Sequence, residues 1–362
     1  MEYADQFRNK ELIRKTVERI HALSTRPVTF MEVCGGHTMA IHKSGISSLL
    51  PKHIQLISGP GCPVCVTDRT FIDTAVSIAC MPDIILTSFG DLMRVPGSNS
   101  TLNEEKAKGA DIRVVYSPLD ALRLALENPL KNIVFLAIGF ETTAPGTAIS
   151  IIEAQQMNRC NFMVLSAHKI MPPAMTAIIQ TGLPINGYLA PGHVCTITGA
   201  DIFRFIPDQY QIPVVVAGFE PLDILQSILL LVRQVEHKEA NLEIQYQRVV
   251  NYTGNSIAKK VLKKVFNLTE SWWRGLGELP QSGLGIKQEY KVHDAKERLP
   301  IVVPQATEPK GCICGDILRG LKKSTDCPLF RMVCTPDNPV GACMVSNEGA
   351  CQASFRYNGL VS

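Results

Sequence analysis

Charged side chains are scarce in this sequence, at 19% of 362 residues, and aromatic ones scarcer still at 6%. The net charge is only +3, and no basic stripe with interleaved aromatics is present. Nucleic-acid binding therefore has no electrostatic footprint here. No apolar run approaches the roughly 20 residues that a membrane-spanning helix needs. The best runs, residues 133–140 and 224–232, stop far short. The first twenty residues are charged throughout and amphipathic, unlike a signal peptide. A phosphate-cradling P-loop signature is also missing. Together these absences predict a soluble protein that stays in the cytoplasm.

What the chain has is apolar bulk and thiols. Hydrophobic residues make up 46%, which predicts well-buried cores and a rather apolar surface suited to meeting other proteins. The length predicts two or three domains. Twelve cysteines are present. In a short secreted chain they would read as a disulfide framework, but in a long chain without an export signal they point to metal binding or redox chemistry. Six of them, Cys312, Cys314, Cys327, Cys334, Cys343 and Cys351, crowd the end of the chain. A core would spread its cysteines more evenly.

From residue 28 onward, short Val- and Ile-rich runs alternate with amphipathic stretches. The runs at 28–33, 54–58, 83–88, 112–116, 133–140, 162–166, 185–190 and 213–218 read as buried strands of parallel sheets. Between them, residues 68–79 place Phe71, Ala75 and Ile78 on one helical face. The fold class is α/β. Eight strands are many for one sheet, so the expected division is into two sheets near residue 128. Gly139-Phe140-Glu141 and Gly218-Phe219-Glu220, each after an apolar strand, are a faint echo in its favour. Residues 223–248 and 256–268 read as helices, and 272–285 as a glycine-rich irregular stretch. The expected domains are 1–128 and 129–268, both α/β with parallel sheets, and 269–362, a smaller cysteine-rich C-terminal domain.

Three loops stand where ligands bind in open α/β sheets, beyond the carboxyl ends of strands. Glu32-Val33-Cys34-Gly35-Gly36-His37-Thr38 joins a strand to a helix. A thiolate at a helix start is stabilised by the dipole, which predicts a lowered pKa and a better metal ligand. His37 adds a nitrogen ligand or proton relay, although a buried cysteine with a capping His-Thr pair would read the same way. Gly59-Pro60-Gly61-Cys62-Pro63-Val64-Cys65 carries a Cys-x-x-Cys pair, read as a dithiol–disulfide couple or as half of a zinc site. In the third, Gly139 to Gly146, Glu141 is placed to exchange a proton beside a metal-bound ligand or to accept from loop amides. His193, His168 and Lys169 are weaker candidates. Cys80, Cys160 and Cys195 read as ordinary small hydrophobes. Four thiolates of the tail suit a [4Fe–4S] cluster, with a structural zinc held by four thiolates as the alternative.

Taken in order, Cys34-Gly35-Gly36-His37-Thr38, Gly59 to Cys65, Gly139 to Pro145 and the tail from Cys312 to Cys351 resemble the HypD family of [NiFe]-hydrogenase maturation factors, over nearly the whole chain. The resemblance implies a scaffold on which an iron carrying two cyanides and one carbon monoxide is assembled. The implied partners are HypC and HypE, which obtains its cyanide through HypF, and finally the hydrogenase large subunit. It also implies that Cys34 is the iron ligand with His37 close by, that Cys62 and Cys65 are a redox pair, and that Glu141 lies in the third motif. The tail resembles ferredoxin–thioredoxin reductase, which implies Cys312, Cys327, Cys334 and Cys351 as ligands of a [4Fe–4S] cluster and Cys314 with Cys343 as a redox-active disulfide. A thiol–disulfide oxidoreductase fed by the cluster is the competing function, and a plain iron–sulfur storage protein a third. Neither accounts for Cys34-Gly35-Gly36-His37.

Overall fold

A computed structural model describes residues 7–302, 306 and 308–358. Its eleven strands fall into two parallel sheets and one antiparallel hairpin. The first sheet has the order β2-β1-β7-β8-β9, from Ile54–Ser58, Val28–Glu32, Gly187–Pro191, Val214–Ala217 and Leu242–Ile244. The second is β4-β3-β5-β6, from Ile112–Val114, Ile84–Ser88, Asn132–Gly139 and Phe162–His168. All strand pairs in both sheets are parallel. No helix among the described residues is long and apolar enough to cross a membrane.

The expected division of the strands near residue 128 is corrected by this topology. The second sheet is inserted whole between β2 and β7 of the first, so the first sheet takes strands from both sides of residue 128. Apolar runs identify strands, but which strand lies beside which depends on pairing between distant segments that single-strand patterns do not encode.

Side chains alternate between the faces of a strand, and that alternation divides the core into three layers. On β5, Ile133, Phe135 and Ala137 face one outer layer, while Val134, Leu136 and Ile138 face the middle. On β8, Val215 and Ala217 face the other outer layer, and Val214 and Val216 turn to the same middle. Both sheets are thus covered on both faces, as parallel sheets are. Cys314, Ile317, Cys343 and Val345 belong to the middle layer too. The tail, read from the sequence as a smaller domain, packs into the core that the two sheets share.

Two further readings change. The helix expected over 223–248 is Pro221–His237, which stops where Lys238 turns left-handed at φ 59°, and the alternating Leu242–Ile244 forms an edge strand. Residues 272–285, expected to be irregular, lie in the hairpin of β10 (Phe266–Trp273) and β11 (Gly277–Ile286), whose first strand also takes residues 266–268 from the expected helix, here Ser256–Val265. Its glycines serve two uses. Gly275 takes the positive φ of the turn, whereas Gly283 and Gly285 leave room for Ser271 and Thr269 opposite.

Phe135 is fully buried on β5, which is paired on both sides. Phe135→Ala is expected to cost about 3–5 kcal/mol through a cavity that the surrounding layers cannot close. Leu130→Ala, at a side chain 94% exposed, should stay within about 0.5 kcal/mol. Urea denaturation followed by circular dichroism gives both values.

Candidate functional site

β1 and β2 run side by side, so the loops that follow them are neighbours. The Gly35 amide donates to the Gly61 carbonyl at 2.9 Å, and the Gly59 amide to the Glu32 carbonyl at 2.8 Å. Gly61 lies so close to the Cys34 backbone that any side chain at residue 61 would overlap it. This close approach sets Cys34 beside the Cys62 loop. In that loop Cys62 is joined to Cys65 by a disulfide, with Cα atoms 5.2 Å apart, across the start of the short helix Pro63–Val66.

Cys34 caps the helix Gly35–Lys43 and is buried. The amides of Gly36 and His37 favour its thiolate, as a helix start should. Burial outweighs them, and the Glu348 carboxylate adds to it, so the thiol is pushed up to about 12. The lowered pKa expected from the sequence is corrected accordingly: desolvation of a buried anion exceeds the pull of one helix end. Glu32, buried beneath, accepts from the Thr38 hydroxyl at 2.5 Å and the Cys34 amide at 3.3 Å, and burial raises it to about 8.

His37 is wholly buried, and burial lowers its pKa to about 4. Its Nε2 faces the Ala217 carbonyl at 3.2 Å, which can only accept, so Nε2 carries the proton. Nδ1 then holds a lone pair that meets no partner. Phe219 is stacked between two imidazoles, His37 at 4.7 Å and His193 at 3.8 Å. His193 thus joins the site from the β7 end, as an exposed cover over Phe219.

Glu141 comes from the second sheet, just past β5. One carboxylate oxygen accepts the Met171 amide at 2.9 Å, the other meets nothing, and burial raises the group to about 7. Its charge reaches Cys195, and so does that of Cys34. Cys195, read from the sequence as an ordinary small hydrophobe, is fully buried in the apolar core, and burial above all raises its thiol. Cys80 and Cys160 are exposed rather than packed as small hydrophobes. His168 and Lys169 stand apart from Cys34. His168 pairs with the Thr147 hydroxyl at 3.0 Å, and Lys169 donates to Ser271 Oγ at 2.6 Å and the Trp272 carbonyl at 2.7 Å.

The six tail cysteines line one apolar cavity with Ile317, Leu329, Phe330 and Met344. Cys314 and Cys343 are joined as a disulfide, with Cα atoms 6.4 Å apart. Cys312, Cys327, Cys334 and Cys351 are free thiols, and the charges of the other three raise Cys351, which burial above all pushes up to about 12. Among the described residues no three His, Cys, Asp or Glu side chains are grouped to hold a single metal ion. The helix Pro63–Val66 packs against both Cys314–Leu318 and Ala342–Met344, so the two disulfides lie on touching elements. Arg274, 5% exposed, fastens this junction. It donates to the Cys65 carbonyl at 3.0 Å and the Thr67 carbonyl at 2.8 Å, and pairs with Glu308.

Sequence reasoning missed Phe219, Arg274 and Glu348. Phe219 had a signal, since Gly218-Phe219-Glu220 follows a strand as Gly139-Phe140-Glu141 does. Arg274 and Glu348 act across the fold and carry no local pattern.

Glu141 yields a test with a definite sign. Its folded-state pKa, about 7, exceeds the ordinary 4.5, so the folded protein holds this proton more tightly than the unfolded chain does. Its contribution to stability is complete below about pH 4.5 and is lost as pH rises through 7. Denaturation midpoints measured from pH 4.5 to 8 should fall more steeply for the native chain than for Glu141→Gln. Equal slopes would show that the carboxyl does not titrate there.

Comparison with known proteins adds identity to this geometry. A family model described as HypD, "Hydrogenase formation hypA family", matches residues 11–358. The hydrogenase maturation factor HypD2 of Bradyrhizobium diazoefficiens is 47% identical over 99% of this chain and 97% of its own length. Hydrogenase maturation factors named HypD from Rhizobium leguminosarum bv. viciae and Azotobacter vinelandii are each 46% identical over 99% of this chain, and over 96% and 97% of their own lengths. This chain belongs to the HypD family of hydrogenase maturation factors.

Proposed function

We propose that the protein is the scaffold on which the Fe(CN)2CO unit of [NiFe]-hydrogenase is assembled, in the cytoplasm with HypC and HypE, before transfer to the large subunit. The observation that carries this reading is the contact between the Cys34 loop and the Cys62–Cys65 loop at the ends of adjacent strands. It sets a single thiol suited to a soft, low-valent metal directly beside a dithiol couple.

In this reading Cys34 is the iron ligand from this chain. The thiol is neutral in its dry pocket, and a divalent iron entering it supplies the positive charge that lets the sulfur release its proton. Neutral His37 offers the lone pair of Nδ1, and Glu141, near neutrality in pKa, can take or return a proton beside the ligands. Phe219 and the two imidazoles on it exclude water. Reducing the Cys62–Cys65 disulfide takes two electrons and two protons and yields two thiols, and its re-formation returns the electron pair to whatever is being built at the iron.

The tail residues fit a [4Fe–4S] cluster. Four thiols outside the disulfides line one apolar cavity rather than converging on a point, which suits a cube whose four irons each take one sulfur. Cys312, Cys327, Cys334 and Cys351 would hold it, and it would supply electrons singly. Cys314–Cys343, on the same cavity and against the Cys62–Cys65 helix, would accumulate them in pairs.

Two measurements test the reading. Cys34→Ala, purified anaerobically with HypC, should keep its fold and brown chromophore but lose the infrared bands of bound cyanide and carbon monoxide. Bands of native intensity would remove Cys34 as the ligand. Serine at Cys312, Cys327, Cys334 or Cys351 should bleach the chromophore, whereas Cys314→Ser and Cys343→Ser should keep it. A colourless but folded Cys314→Ser protein would overturn the division of the six thiols.

A further inference from the structure

β2 ends the first sheet, and its outer edge lies open along a groove of about 800 Å³. One wall comes from Ile41, His42 and Ser48, and the other from the turn of residues 320–326. The hydrogen bonds to β1 fix which backbone groups face outward. The Val28 amide donates to the His53 carbonyl and the Gly59 amide to the Glu32 carbonyl. Alternate residues 53, 55, 57 and 59 thus serve β1, and Ile54, Leu56 and Ser58 turn away from it. The Ile54 amide is taken by the Pro51 carbonyl at 2.9 Å. Among the described residues, the Leu56 and Ser58 amides have no acceptor.

Exposed edges are ordinarily blunted by proline, lysine, a bulge or a covering element. β2 reads Ile-Gln-Leu-Ile-Ser, without proline, charge or bulge, and its register with β1 is unbroken. The protection stands instead on the groove's rim, and it is charged. Lys52, Lys322 and Lys323 are exposed and form no ion pair among the described residues. The acid that faces them, Asp326, is already engaged by the Lys323 amide at 2.8 Å. An unpaired edge with lysines at its start and along one wall favours a strand that carries negative charge.

We propose that the β2 edge is a docking site for an extended acidic segment of a partner protein, bound by strand addition. Main-chain bonds to Leu56 and Ser58 give the register, and alternate acidic side chains meet the lysines. The docked strand follows β2 toward Gly59 and so leads to the margin of the Cys34 site. This goes beyond the assembly reading and does not depend on it, because binding here needs neither iron nor a thiol.

The test uses the full chain and a fluorescein-labelled heptapeptide, Glu-Val-Glu-Val-Glu-Val-Glu, read by fluorescence anisotropy. The probe should bind, and its Lys-Val counterpart should not. Methylating the probe's amides on one alternate set should weaken binding about tenfold, and on the other set hardly at all, because only one set faces β2. Leu56→Pro should weaken it about tenfold too, since the lost amide points away from β1 and an edge strand tolerates proline there. Lys322→Glu with Lys323→Glu should weaken it as much, and the remaining affinity should depend less on salt. Should Leu56→Pro fail to fold, the methylated probes on the native chain still decide. No binding, or binding indifferent to which amides are methylated, would overturn strand addition. So would binding that appears only after residues 359–362 are removed, since the chain's own end would then be the occupant.

Discussion

The structure turns on the packing of Gly61 against the backbone of Cys34. Two parallel strands end side by side, and a residue without a side chain lets their loops touch. A single methyl group there would push the loops apart and separate the lone thiol from the disulfide. Phe219 and Arg274 close the arrangement from other directions, Phe219 by filling the space behind Gly36 and Arg274 by tying the Cys65 carbonyl to the tail.

Burial then sets the chemistry of what the packing assembles. Cys34, Glu32 and Glu141 are all raised, and His37 is lowered, with desolvation the largest cause in every case. Burial favours neutral forms of acid and base alike. Such a site is poorly suited to holding standing charge and well suited to responding when charge arrives, because each proton leaves only against a cation or another proton. Glu348 sharpens this, since its carboxylate further disfavours an empty thiolate.

Much of this was legible in the sequence, and the limits have physical causes. Short Val- and Ile-rich runs identify strands because both faces of a parallel strand are buried, and eight of the eleven strands lie on such runs. Leu242–Ile244 was lost to a helix because three residues on a sheet edge give too short an alternation to stand against the long apolar face before them. The hairpin was lost because its glycines read as an irregular stretch until they are seen opposite Thr269 and Ser271. Glycine-flanked cysteines located the loops beyond β1 and β2, since close backbone approach leaves a local mark. The protonation of Cys34 left none. It follows from enclosure by Phe219, Glu348 and the tail, which only the folded chain brings together.

The insertion of one sheet within the other also governs the order in which the molecule can form. The Thr29 amide bonds the Asn186 side chain 157 residues later, whereas the inserted strands, from Ile84 to His168, pair within one continuous stretch. Closing so long a loop is entropically costly and slow compared with local pairing. During synthesis β1 and its cysteine emerge early, yet β7 arrives past the middle of the chain and the tail last. Until then Cys34 has neither its second strand neighbour nor Glu348, and it behaves as an ordinary exposed thiol. Glu348 is made long after the cysteine whose thiolate it disfavours, so a chain that has reached only β7 lacks part of the dry pocket.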